Sequence, residues 1–227
     1  MISKKDIIKL IIELFVVFLG VTAAFLLNNW AEERRARETE TIYLKSLHHE
    51  LIEDIERIDT LISYYENKKE LLTDLIMLID NRGDKAEIED LCEKTLLTFR
   101  FFKGGLHTWE SLKNSGELKL IKNIQIKILT AKLYTRYKDI EEHSDILQSF
   151  IENRILDHFI KNVRIDGSDI IFMKRNSAHE NYFANLVTTY YLIILDHLRS
   201  LRETHQMCRR VKTVLVENLG IKIKAQI

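Results

Sequence analysis

The chain has 227 residues, with 34 basic and 34 acidic side chains, so its formal net charge is zero and its pI is about 7.1. Such a balance gives no sequence-independent pull towards polyanions, and no nucleic-acid partner is expected. The 30% charged and 46% hydrophobic fractions exclude a disordered chain. Proline is absent, where average usage of about 5% would place about eleven, so the residue that most often breaks helix interiors is missing.

In chain order, the first element is the apolar stretch from Ile7 to Leu27. At 1.5 Å per residue it reaches about 31 Å, the thickness of a bilayer's hydrocarbon layer. Lys9 and Glu13 interrupt it. Lys9 is close enough to the end to snorkel, and the two are spaced to pair on one helix face. Asn28, Asn29 and Trp30 follow, with the aromatic where a membrane–water interface would hold it. A secretory signal peptide is the competing reading, with Val21-Thr22-Ala23 as a loose cleavage site. The apolar run carries a glutamate and continues past that site, so an uncleaved anchor over residues 1–30 is expected. Lys4, Lys5 and Lys9 before it nearly balance Arg34, Arg35 and Arg37 after it. The positive-inside rule therefore leaves the topology open. The favoured orientation puts the N-terminus in the cytoplasm and the soluble part outside a bacterial inner membrane.

Within the anchor, Glu13 is the first candidate site residue, because an ionisable group in a span is costly and usually has a use. Gly20 and Ala24 form a small-xxx-small step that lets helix backbones approach closely. Glu13 and Gly20, seven residues apart, share a face. Simple anchoring, self-association of the anchor and a polar conducting pathway all remain open on these residues.

Beyond the anchor, glycines punctuate a series of helical segments. A long helix is expected over 31–80, entered from the anchor without a linker. Its stripe comprises Leu44, Leu47, Leu51, Ile55, Ile58, Ile62, Tyr65, Leu72, Ile76 and Ile79, at steps dominated by three and four. Lys68 and Lys69 interrupt this stripe, which admits a bend there. After a turn at Asn81-Arg82-Gly83-Asp84, shorter helices are expected over 86–102 and 107–114, then long helices over 123–163 and 179–219. Arg164 to Asn176, with Gly167-Ser168, reads as the main irregular connection. The fold expected is all-α: one N-terminal transmembrane helix followed by an antiparallel bundle of long helices.

No catalytic, phosphate-binding, metal or cofactor spacing emerges, and neither enzyme activity nor a cofactor is expected. Asp157-His158 and Asp196-His197 are adjacent pairs whose side chains diverge by about 100° on a helix, which makes poor chelates. His205 falls in the last apolar stripe and reads as a hydrogen-bonded core histidine. The acidic run Glu50, Glu53, Asp54 and Glu56 reads as a solvated face. So does the basic C-terminal stretch from Arg199 to Lys224, with binding to an acidic partner or to lipid headgroups as its alternative. Cys92 and Cys208 are either small buried hydrophobes or a disulfide.

Two stretches resemble an uncharacterised family of bacterial single-pass membrane proteins. In that family a Glu-bearing apolar helix with a mid-span glycine runs into Asn-Asn-Trp and a charged helix, and an internal motif pairs a hydroxyl residue with an aromatic. Glu13, Gly20, Asn28, Asn29 and Trp30 match the first stretch; Thr108, Trp109, Leu112, Ser115, Gly116 and Asn123 match the second. The resemblance implies the anchored helical architecture and no assigned activity. The second stretch also has a structural account, with Thr108 and Asn123 as helix caps, Trp109 and Leu112 as apolar anchors and Gly116 as a helix stop.

Two functional expectations follow. One is a membrane-tethered interaction or scaffold protein, with the bilayer and a protein as its partners. The other is a self-assembling membrane effector, or a conducting oligomer that packs through Gly20 and Ala24 and presents Glu13 inward.

Overall fold

The computed structural model describes residues 4–105, 107–166, 169–172, 178 and 180–220, with the side chains of residues 4–12, 165, 166 and 169 outside that description. Among the described residues the fold is all-α apart from one short antiparallel strand pair. Helix α1 (Lys4–Asp80) is a single rod of 77 residues, about 115 Å long at 1.5 Å per residue. Its character changes twice along that length. From Leu14 to Leu27 the large apolar side chains are 50–68% exposed. Residues 31–39 then form a charged stalk whose hydrogen bonds and ion pairs, among the described residues, stay within α1. Asn28 reaches Glu32 at 2.9 Å, Arg34 reaches Glu38 at 3.0 Å and Arg37 reaches Glu33 at 3.4 Å.

Tertiary hydrogen bonds begin at Glu40, which accepts the Lys122 N–H at 2.6 Å, and at Tyr43, whose hydroxyl donates to Glu117. From here α1 builds the core. Leu44, Leu47, Leu51, Asp54, Ile58, Leu61, Tyr65, Lys68, Leu72, Leu75 and Ile79 are all buried. Their spacing alternates three and four without exception, the heptad pattern that keeps one seam facing its neighbours. Lys68 lies inside this seam, and α1 runs through it as unbroken helix. The interruption of the stripe read at Lys68 is therefore corrected: the lysine is folded inwards.

The chain then descends along α1. Helix α2 (Lys85–Leu96) ends at Leu96, not at 102. Residues 97–105 form a strap outside helix and strand, because α1 offers polar partners to their carbonyls. The buried Lys68 ammonium donates to Thr98 O, and the Tyr65 hydroxyl donates to Arg100 O at 2.5 Å. A helix through 102 would take Thr98 O into its own ladder, in competition with Lys68. Below the strap come α3 (His107–Ser115) and a 3-10 turn (Glu117–Leu120).

Helix α4 (Ile124–Phe150) climbs back, parallel to α1. It passes through a π turn (Ile151–Ile155) into α5 (Leu156–Asn162). The π turn falls where buried positions step Leu147, Ile151, Ile155 and Phe159, successive fours in place of alternating threes and fours. One extra residue per bulge absorbs that drift.

Part of the 164–176 connection, expected to be irregular, is instead a strand pair, a second correction. Strands β1 (Val163–Asp166) and β2 (Asp169–Phe172) pair antiparallel, with Val163 opposite Phe172. Ile170 and Phe172 are buried, and Glu89 of α2 accepts the Phe172 N–H at 2.7 Å. The β-branched residues Val163, Ile165, Ile170 and Ile171 suit a strand pair. Gly167 and Ser168 lie outside the described residues.

Helix α6 (Asn181–Leu219) closes the fold, running antiparallel to α1, so that Tyr190 meets Lys68 and His205 meets Asp59. Its start at Asn181 replaces the expected 179, and His179 lies outside the described residues. Its buried positions 183, 187, 190, 194, 197, 201, 204, 208, 211 and 215 repeat the four–three alternation.

Candidate functional site

Three regions carry the candidate residues. The first is the apolar segment of α1, where one helix near the N-terminus is long and apolar enough to cross a membrane, with none of that window buried inside the molecule. Glu13 and Ala24 are exposed there, and a Cβ added at Gly20 would meet nothing within 4 Å. Lys9, the expected partner of Glu13, has its side chain outside the described residues. At the exit, Asn28 is tied to Glu32, Asn29 is half-buried, and the Trp30 ring is 62% exposed with the Arg34 guanidinium 5.9 Å above it.

The second region is the motif from Thr108 to Asn123. Trp109 and Leu112 are buried, and Gly116 takes the left-handed conformation at φ 73°. The Asn123 side chain accepts the Gln125 and Ile126 N–H groups at 2.9 and 3.3 Å, capping α4. Thr108 does not cap α3. It lies in the first turn, and both its N–H and its hydroxyl donate to Glu50 of α1, the latter at 2.6 Å. The α1 carboxylate thus serves the positive end of α3, where an anion is favoured. Ser115 donates weakly to Leu112 O at 3.4 Å.

The third region, which the sequence reading did not single out, is the polar part of the core. Asp54 belongs to the acidic run read as a solvated face, yet it is 1% exposed. Its Oδ2 accepts the Tyr137 hydroxyl at 2.7 Å and its Oδ1 faces Arg57 at 3.1 Å. The same hydroxyl lies 3.4 Å from Cys208 Sγ. Burial raises the Asp54 carboxyl above its ordinary range and pushes the Cys208 thiol up to about 12. Both cysteines are buried and free, so the disulfide alternative is not realised here.

Two heptads further along α1, about 21 Å, Lys68 is 2% exposed. Its ammonium donates to the Tyr190 hydroxyl at 2.9 Å and to Thr98 O. It also lies over the Tyr64 and Tyr190 rings at 5.5 and 5.3 Å. Burial lowers its pKa to about 7. Beside it, His197 stacks edge-on against Tyr65 with ring centroids 4.8 Å apart, fully buried, and burial lowers its pKa to about 4. Neither ring nitrogen has a hydrogen-bond partner among the described residues. The buried histidines among the described residues include His197 and also His158, which is 3% exposed. His205, expected as a core histidine, lies on the flank of α6, 2.9 Å from the exposed Asp59.

These buried groups are enclosed, and no cluster among the described residues could hold a metal ion. An apolar recess lies outside them, on the outer side of the strap. It is a groove of about 470 Å³ lined by Arg57, Leu61, Arg100, Phe101, Phe102 and Lys103, among others.

No family model matches this chain, and no curated protein or solved structure matches it.

Proposed function

We propose that this chain is a membrane-tethered helical interaction protein. The start of α1 spans a bacterial inner membrane, and the helices above it offer surface to a protein partner. The observation that supports this most is the division of α1. One uninterrupted helix exposes large apolar side chains on all sides over Leu14–Leu27, then supplies a heptad seam to the core from Leu44 onwards. Bare apolar surface of that extent calls for lipid or protein cover. The exposed, self-laced stalk would set the helical domain about 20 Å above Trp30, counting thirteen residues to Tyr43. N-terminus inside is retained as the proposed orientation.

The test is alkaline carbonate extraction of native membranes, comparing the intact chain with a Val17→Arg, Phe18→Arg variant. Each central arginine costs about 2.5–3.5 kcal/mol on insertion scales. The parent should stay in the pellet and the variant should move to the supernatant. A parent that washes off at high pH would end the reading. Protease treatment of spheroplasts then reports the side on which the helical domain lies.

Self-assembly is the second reading, favoured by the open space beside Gly20 on a helix whose apolar side chains are exposed. Native mass in mild detergent decides it: a Gly20→Ile variant should lose oligomers that the parent forms, and a monomeric parent removes the idea.

A further inference from the structure

The groove on the strap has a chemistry that its surroundings do not satisfy. Its floor is apolar, made by Leu61 of α1 with Phe101 and Phe102 of the strap, and the nearby Phe99 is 42% exposed and packs on Phe101 at 5.0 Å between ring centroids. Its rim carries Arg57, Arg100 and Lys103. Arg57 is already paired with Glu53 and Asp54. The Arg100 guanidinium lies 4.7 Å above the Tyr64 ring, and no carboxylate among the described residues pairs with it or with Lys103. The groove is also held in shape from below. Thr98 O and Arg100 O are bound by Lys68 and Tyr65, and the Phe102 ring packs on Tyr137 at 5.2 Å. A preformed apolar recess with a few placed polar groups is the usual form of a binding site, and about 470 Å³ falls in the range of such sites.

We propose that this groove docks a short acidic–aromatic segment of a protein partner, an apolar side chain entering between Leu61 and Phe101 while flanking carboxylates pair with Arg100 and Lys103. The inference rests on the reading of the chain as a tethered interaction protein and names the surface and the partner chemistry. That reading also decides against a lipid occupant. Arg57 is twenty-seven residues above Trp30 on a continuous helix, about 40 Å from the interface, beyond the reach of a headgroup or acyl chain still in the bilayer.

The experiment uses the full chain in nanodiscs and the fluorescently labelled peptide Glu-Asp-Phe-Glu-Leu-Asp, with Lys-Arg-Phe-Lys-Leu-Arg as its charge-reversed control and octanoate as competitor. Anisotropy should give a Kd on the order of 0.1 mM for the acidic peptide, as suits one apolar anchor and two exposed ion pairs. The basic peptide should bind at least about tenfold more weakly. The Arg100→Glu, Lys103→Glu double variant should reverse that preference, and gain of the basic peptide shows in the same titration that the variant is folded. Equal binding of both peptides by the parent, no binding of either, or displacement by octanoate at concentrations equal to the peptide's would overturn the proposal. Carbonate extraction of the same preparation keeps the two readings apart. A chain that stays in the membrane but binds neither peptide loses the groove and keeps the tether.

Discussion

Asp54 and Lys68 occupy equivalent positions of one heptad seam, fourteen residues apart on α1, and both are buried without contacting each other. Each is served by a different neighbour. Asp54 is held by Arg57 and by Tyr137 of α4, and Lys68 by Tyr190 of α6 and the strap carbonyl of Thr98. Polar residues on a core seam cost stability and fix register, because any slip leaves them without partners. The strap between α2 and α3 is the physical consequence: it comes out of helix where α1 needs acceptors.

The Lys68 ammonium makes stability depend on pH in a direction that can be worked out. Its pKa is about 7 in the fold and near 10.5 in the unfolded chain. Between those values the unfolded state binds more protons, so this group's contribution improves as pH rises from 7 towards 10.5, by at most about 1.4 kcal/mol per unit. Lys68→Met removes that dependence. Thermal melts followed by circular dichroism should show the variant gaining on the parent at pH 6.5 and the gap narrowing by pH 9. A gap that is flat across that range would mean that Lys68 is not buried as a charge.

His197 gives a second pH dependence with a separate window. Its pKa is about 4 in the fold against 6.5 unfolded, so the unfolded chain takes the proton first and stability falls as pH drops from 6.5 to 4. His197→Leu keeps the volume roughly and removes two unpartnered nitrogens. It should raise stability at pH 5 by about 1–3 kcal/mol, the cost of burying unsatisfied polar groups, with a smaller gain at pH 7.5. A loss at both values would show that the ring nitrogens have partners.

The helical class and the long apolar N-terminal helix were legible in the sequence because periodicity and hydropathy survive without knowledge of neighbours. The phase of the core seam was less so. A reading that ranks positions by apolar character chose Ile62 and Ile76, one step away from Leu61 and Leu75, and took Ile55, itself buried, in place of its neighbour Asp54. It passed over Asp54 and Lys68 because charged residues are seldom buried. The unbroken alternation of three and four would have placed both inside. On α6 the same preference set His205 in the stripe, where the alternation through Tyr190, Ile194, Leu201 and Thr204 selects His197. The end of α2 was illegible locally, since its cause is a hydrogen-bond demand from Tyr65 and Lys68, about thirty residues earlier in the chain.

Gly104 sits where the strap crosses Asp54, and a Cβ there would stand 2.6 Å from Asp54 Oδ1 and closer still to the Phe102 ring. Gly104→Ala should cost about 1–3 kcal/mol, as overpacking of a filled core does. Tyr137→Phe should cost a similar amount by removing the hydroxyl from Asp54. Because both changes act on one carboxylate, the double variant should cost less than the sum of the singles. Additive losses would mean that the strap and α4 do not share Asp54.

The stalk supplies the remaining prediction. Arg34, Arg35 and Arg37 are exposed on a stretch of α1 that, among the described residues, is held by its own (i, i+4) pairs, each worth a few tenths of a kcal/mol. The helix above it is tied into the core from Leu44 onwards. Local opening is therefore cheapest in the stalk, and proteases cut where backbone opens most easily. Brief trypsin treatment of the membrane-bound chain should cleave between Arg34 and Arg37 before any site in residues 45–80 or 181–219. The released fragment should carry most of the 26.9 kDa mass and stay helical by circular dichroism, while the short apolar fragment remains with the membrane. A first cut inside the core helices, or no release of the large fragment after stalk cleavage, would count against an isolated stalk between a lipid-embedded segment and the folded helices.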